Sequence, residues 1–116
     1  MAFPGTYNFN YYRGDTFEFK IFPKLQDGTK FDLTNYTAKF TVANRRGTGA
    51  TQITMTAPTV NASEGLITCV ISSTNGRNLT AGVSWVYDVE IVRTVGNANT
   101  TTLLTGGITV TEDVTQ

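Results

Sequence analysis

Residues 83–93 read Val-Ser-Trp-Val-Tyr-Asp-Val-Glu-Ile-Val-Arg, and this stretch constrains the fold most. Side chains of an extended strand alternate between faces, so Trp85, Tyr87, Val89 and Ile91 share one side while Ser84, Asp88 and Glu90 share the other. One face is oily and the other mostly wet. At about 3.4 Å per residue the stretch spans over ~30 Å, longer than a usual strand, which predicts a central position in a sheet. Periodicity alone therefore gives a β domain with no chemistry attached.

With 116 residues the chain makes one domain, large enough to bury a single core. Threonine supplies roughly a fifth of it, and with Val, Ile, Phe and Tyr this is the β-branched and aromatic bias of strands. Acidic and basic side chains number nine each, so no strong field steers the protein to nucleic acid or to an anionic membrane. Cys69 is the sole cysteine and histidine is absent. An internal disulfide is thus excluded, the usual zinc sets cannot be assembled, and neither a metal nor a cofactor is expected. The N-terminus lacks the basic and apolar regions of a signal peptide, and no apolar run approaches a membrane span, so a soluble protein made in the cytosol is expected. Asn-X-Ser/Thr sequons at Asn35, Asn61, Asn78 and Asn99 are what a chain rich in Asn and Thr shows by chance.

Along the chain, residues 1–12 are expected to form an N-terminal arm or edge strand, with residues 13–116 as a single sandwich domain. Phe3, Tyr7 and Phe9 are the candidate partner-binding residues of that arm; the alternative is that Tyr7 and Phe9 close the domain's own core. Arg13-Gly14-Asp15 matches an adhesion tripeptide, but Gly14 is better read as a bend entering the next strand. In residues 15–22, Phe17, Phe19 and Ile21 point inward and Glu18 and Lys20 outward. Pro23 ends that strand and residues 26–29 turn. Tyr36, Ala38, Phe40 and Val42 alternate cleanly with Thr37, Lys39 and Thr41.

Arg45 and Arg46 at the following hairpin tip suggest an anion grip, yet solvated arginines explain them as well, and Gly47-Thr48-Gly49 does not open a helix as a nucleotide loop would. Ile53 and Met55 point inward from the next strand, and Ile67, Cys69 and Ile71 from a run apolar on both faces, which suits a strand covered on each side or lying partly under a partner. Cys69 has no basic neighbour in sequence and reads as a small core hydrophobe. A Ser or Thr cap in residues 72–81 starts the one helical turn expected, dropping Leu79 onto the sandwich edge. Residues 96–99 return the chain as a hairpin, and Gly106-Gly107 is the expected place of a bulge or kink. Strands recurring every ten to fifteen residues between turn signals make an all-β, antiparallel β-sandwich of about seven to eight strands.

Catalysis has one candidate pair. Asp88 and Glu90 share a strand face about 7 Å apart, a spacing open to paired acid and base work, although a solvated or partner-facing surface looks the same. With no histidine and no base beside the thiol, nucleophilic chemistry has no general-base partner, and a non-enzyme is expected.

Arg13-Gly14-Asp15-Thr16-Phe17, Asp27-Gly28, Phe31-Asp32-Leu33-Thr34-Asn35-Tyr36-Thr37, Gly65-Leu66-Ile67-Thr68, Asn78-Leu79-Thr80-Ala81-Gly82, Tyr87-Asp88-Val89-Glu90, Leu103-Leu104-Thr105-Gly106 and Asp113-Val114-Thr115 make an ordered pattern over nearly the whole chain. The pattern resembles the immunoglobulin-like domain of tailed-phage virion proteins, including the N-terminal domain of phage baseplate upper proteins and similar small virion proteins of cyanophages. That resemblance implies an immunoglobulin-like sandwich without catalytic residues, located in the virion and made in the host cytoplasm. Its implied partners are other virion proteins of the capsid or the tail and baseplate, with neither nucleic acid nor membrane, and with homo-oligomerisation open. Baseplate upper proteins continue into a long extension after this domain, whereas this sequence stops at Gln116, which favours a free-standing decoration or accessory module. A standard interface of about 800 Å² per partner would cover roughly an eighth of the surface expected for this mass. The alternative is a module that recognises host-surface glycan or protein, with Tyr11, Tyr12 and Tyr36 as the sugar-stacking candidates.

Overall fold

The computed structural model describes residues 5–25, 27–47, 49–97 and 99–112; residues 1–4 of the expected arm (Phe3 among them), Gln26 of the expected turn, Thr48, Ala98 and residues 113–116 lie outside them. The elements in chain order are β1 (Gly5–Thr6), β2 (Phe9–Tyr12), β3 (Phe17–Ile21), β4 (Tyr36–Ala43), β5 (Gln52–Thr54), β6 (Thr59–Asn61), β7 (Leu66–Ile71), α1 (Ser73–Gly76), β8 (Ser84–Arg93) and β9 (Thr100–Thr111). One sheet has the order β1-β9-β8-β4-β5, with β2 continuing beside β9, and the second has the order β3-β7-β6. The two sheets close over one core as an all-β sandwich.

β8 lies at the centre of the larger sheet, hydrogen-bonded to β4 on one side and β9 on the other. Its inward residues are Trp85, Tyr87, Val89 and Ile91, all buried, while Asp88 and Glu90 on its back are half-buried. The opposing layer supplies Phe19 from β3 and Ile67, Cys69 and Ile71 from β7. Phe40 lies in the middle, its ring edge-on to Phe19 at 5.5 Å and to Tyr87 at 5.6 Å. Such tilted and edge-on contacts add to the area these rings bury. The core covers one face of β7. On the other, Leu66, Thr68 and Val70 are half-buried among the strand neighbours Glu18, Lys20, Thr59 and Asn61.

The helical turn forms where the cap residue places it. Ser72 Oγ accepts the Asn75 N–H at 3.2 Å, and Leu79 beyond the turn is fully buried. Gly76 in this turn packs on Tyr11 so closely that a Cβ there would overlap the phenol oxygen. Tyr11 O–H in turn donates to the Asp15 carbonyl at 2.6 Å.

β1 and β2 run parallel to β9, the exception in a sandwich whose other strand pairings among the described residues are antiparallel. No hairpin joins the N-terminal segment to β9, so no tight turn dictates antiparallel pairing. The Tyr7 N–H donates to Thr105 O at 3.0 Å and the Arg13 N–H to Thr111 O at 2.9 Å, extending the ladder along the segment. One correction concerns the glycine pair. Gly106 and Gly107 pair in register with Tyr87 and Val86, and the bulge falls earlier, where Val89 and Glu90 face Leu104 and Thr102. The extra residue is Leu103, and it lets both Leu103 and Leu104 turn towards the core. Gly106 serves a close approach instead: a Cβ there would overlap the carbonyl oxygen of Tyr7, and the Gly107 N–H donates to Asn8 Oδ1 at 2.8 Å.

Candidate functional site

The N-terminal aromatics divide. Phe9 is inside the sandwich, stacked on Phe17 at 4.7 Å and tilted against Tyr87 at 5.4 Å and Phe19 at 5.6 Å. Its ring closes the domain's own core, so a partner cannot reach it without unfolding β2. Tyr7 stays 42% exposed, although its ring leans on Phe9 at 5.5 Å and Phe19 at 5.9 Å. Its backbone is fixed from beneath, because Tyr87 O–H donates to the Tyr7 carbonyl at 2.6 Å. Burial pushes the Tyr87 hydroxyl above its ordinary range, which keeps it a donor.

Tyr7 borders a depression of about 340 Å³ at the seam between β1 and β9 of one sheet and β3 of the other, lined also by Phe19, Ile21, Phe22 and Leu104. Phe22, 54% exposed, is the residue that sequence reasoning missed. Its signal was in the alternation: Phe22 has the parity of Glu18 and Lys20 and so belongs to the outer set, where an aromatic ring is unexpected.

Asp88 and Glu90 line a second depression of about 290 Å³ on the outer face of the larger sheet, with Lys39, Thr41, Arg45, Arg46 and Gln52 around them. Arg46 pairs with Asp88 at 3.1 Å and also donates to Thr105 Oγ1, while Lys39 is the register neighbour of Glu90. Each carboxylate therefore has a cation beside it, as on a charged surface. Such an exposed pair contributes about 0–1 kcal/mol. Arg13 likewise serves its own chain, donating to the Arg77 carbonyl at 2.8 Å and pairing with Glu112 at 3.2 Å, so the adhesion-like tripeptide is folded into the strand end.

Of the tyrosines offered for sugar stacking, Tyr11 is buried and Tyr36 is half-buried with its ring against Phe31 at 5.5 Å; Tyr12 alone is largely exposed, at 58%. Cys69 is fully buried, and burial pushes its thiol up to about 12, so it stays protonated at neutral pH. Among the described residues no three His, Cys, Asp or Glu side chains gather closely enough to hold a metal ion.

Fold and surface together define a small all-β sandwich whose exposed features are an aromatic seam and an ion-paired sheet face. The chain is similar in structure to the N-terminal domain of phage TP901-1 ORF48, with a TM-score of 0.57 over 95% of this chain and 91% of that one, at 11% identity. The likeness is one of fold. No family model and no curated protein matches the sequence.

Proposed function

We propose that this chain is a non-enzymatic structural module of a tailed-phage virion, an accessory or decoration protein that docks on capsid or tail and baseplate proteins. The observation that carries the reading is the fold likeness to a phage protein's N-terminal domain, which extends over 95% of the chain and agrees with the ordered sequence pattern. The surface chemistry supports it: Tyr7 and Phe22 expose aromatic area on a rigid seam, the kind of anchor that dominates protein interfaces. Docking therefore centres on Tyr7, with Phe9 holding the strand beneath it; Phe3, the third candidate of the arm, lies outside the described residues. The balanced charge leaves nucleic acid without an electrostatic handle.

The test is cosedimentation with particles assembled without this protein. Saturable binding is expected, weakened about tenfold by Tyr7→Asp, as for loss of one aromatic anchor. The hydrogen bonds at Tyr7 are made by its backbone and survive the change, and an unchanged far-ultraviolet circular dichroism spectrum is the expected check that the variant stays folded. An unchanged affinity would remove Tyr7 from the interface, and saturable binding of one sugar class on a glycan array, without binding to particles, would replace the reading with host-surface recognition.

A further inference from the structure

Strand β3 is an edge of the smaller sheet, and among the described residues it pairs with β7 on one side and with no strand on the other. Alternate residues of this five-residue strand turn their backbone donors and acceptors away from β7 and form a template for another strand, the feature sheet proteins usually blunt. Here the edge lies beside the aromatic seam, with Phe22 and Tyr7 exposed next to it.

The residues of β3 decide which strand fits. Its sequence is Phe17-Glu18-Phe19-Lys20-Ile21, with Glu18 and Lys20 exposed on the outer face. A second copy placed antiparallel, with the twofold axis through Phe19, sets Glu18 of each copy opposite Lys20 of the other and Phe17 opposite Ile21. Both charge pairs are then attractive, and both apolar pairs fall on the core face. A slip of two residues in one direction sets Glu18 against Glu18, and in the other Lys20 against Lys20. A slip by one residue turns one sandwich's core face outward. A closed twofold that keeps both core faces on the same side is perpendicular to the sheet, so it makes the strands antiparallel. One register is left.

We propose that the free edge of β3 is a homodimerisation site, at which two copies pair antiparallel about Phe19 to join their three-stranded sheets into one of six. The occupant is a second copy of this chain because the charge pattern is complementary to itself. The proposal does not depend on a place in a virion.

Charge reversal tests it. The full-length chain is expected to show concentration-dependent dimerisation by sedimentation equilibrium up to millimolar concentration. Glu18→Lys or Lys20→Glu sets two like-charge pairs across the seam and weakens self-association about tenfold or more. The double variant Glu18→Lys/Lys20→Glu restores the pairs and recovers the dimer. A mixture of the two single variants forms a heterodimer more tightly than either associates with itself. Both side chains are exposed, so the variants keep the fold, checked by an unchanged thermal melt. A chain that stays monomeric up to millimolar concentration overturns the proposal and leaves the edge to a strand of another protein. A dimer indifferent to the single reversals, or not recovered by the double one, overturns it as well.

Discussion

Replacing Trp85 with alanine is expected to lower stability by about 3–5 kcal/mol, the cost of emptying a large aromatic site in a packed core. Trp85 is 6% exposed on the inner face of β8, opposite Ile108 of β9. Its indole N–H donates to the Thr80 carbonyl at 3.1 Å and so fastens the loop that enters the strand. Alanine opens a cavity and leaves that carbonyl without its partner, two losses that act together. Trp85→Phe keeps most of the volume and loses the hydrogen bond, for which about 1 kcal/mol is expected. Urea denaturation followed by far-ultraviolet circular dichroism measures both, since removing the sole tryptophan also removes the fluorescence probe. Equal midpoints for Trp85→Ala and the parent protein would contradict the placement of this face in the core.

Gly106→Ala carries the second large effect, a cost of about 3 kcal/mol, at the upper end for small-to-large changes at a packed site. Its added methyl would meet the carbonyl of Tyr7, which is backbone and cannot rotate away, so β9 shifts or the N-terminal segment lifts. Lifting would break the bonds that the Tyr7 and Arg13 N–H groups make to β9 and free the Tyr87 hydroxyl, and amide exchange at Tyr7 should accelerate with the loss of stability. Gly107→Ala is the control. Its Cβ would meet nothing nearer than 3.7 Å, and a change within about 0.5 kcal/mol is expected. Equal effects at the two glycines would mean that β1 and β2 do not press on β9 as described.

The strand faces were legible from sequence because period-two alternation reports directly which side chains share a side. Trp85 to Ile91 on β8, Ala38 to Val42 on β4 and Ile67 to Ile71 on β7 all point inward as that rule gives. The turn after Ser72, with Leu79 beneath it, was legible from capping chemistry. What alternation cannot report is the neighbour. The parallel course of β2 along β9, the reach of Arg46 to Asp88 and the grip of Arg13 on Arg77 join residues more than forty positions apart, and nothing local encodes them. Gly106-Gly107 shows the same limit. The pair marked an unusual backbone site, but the close approach of Tyr7 and the bulge at Leu103 became distinguishable only once β1 and β8 lay on either side of β9. Tyr7 and Phe9 share parity, yet Phe9 lies under Phe17 and Tyr87 while Tyr7 sits at the open seam. Half of the candidate docking surface was therefore visible in the sequence. Phe22 was hidden by its place next to an inward isoleucine.

A virion component is what we propose this sandwich to be. Cross-linking mass spectrometry of purified, intact phage particles tests that proposal most directly. The expected result is peptides of this chain in the particle, with intermolecular cross-links to capsid or tail proteins from Lys20, which lines the seam. Its absence from purified particles, while the protein is abundant in the infected cell, would contradict the account.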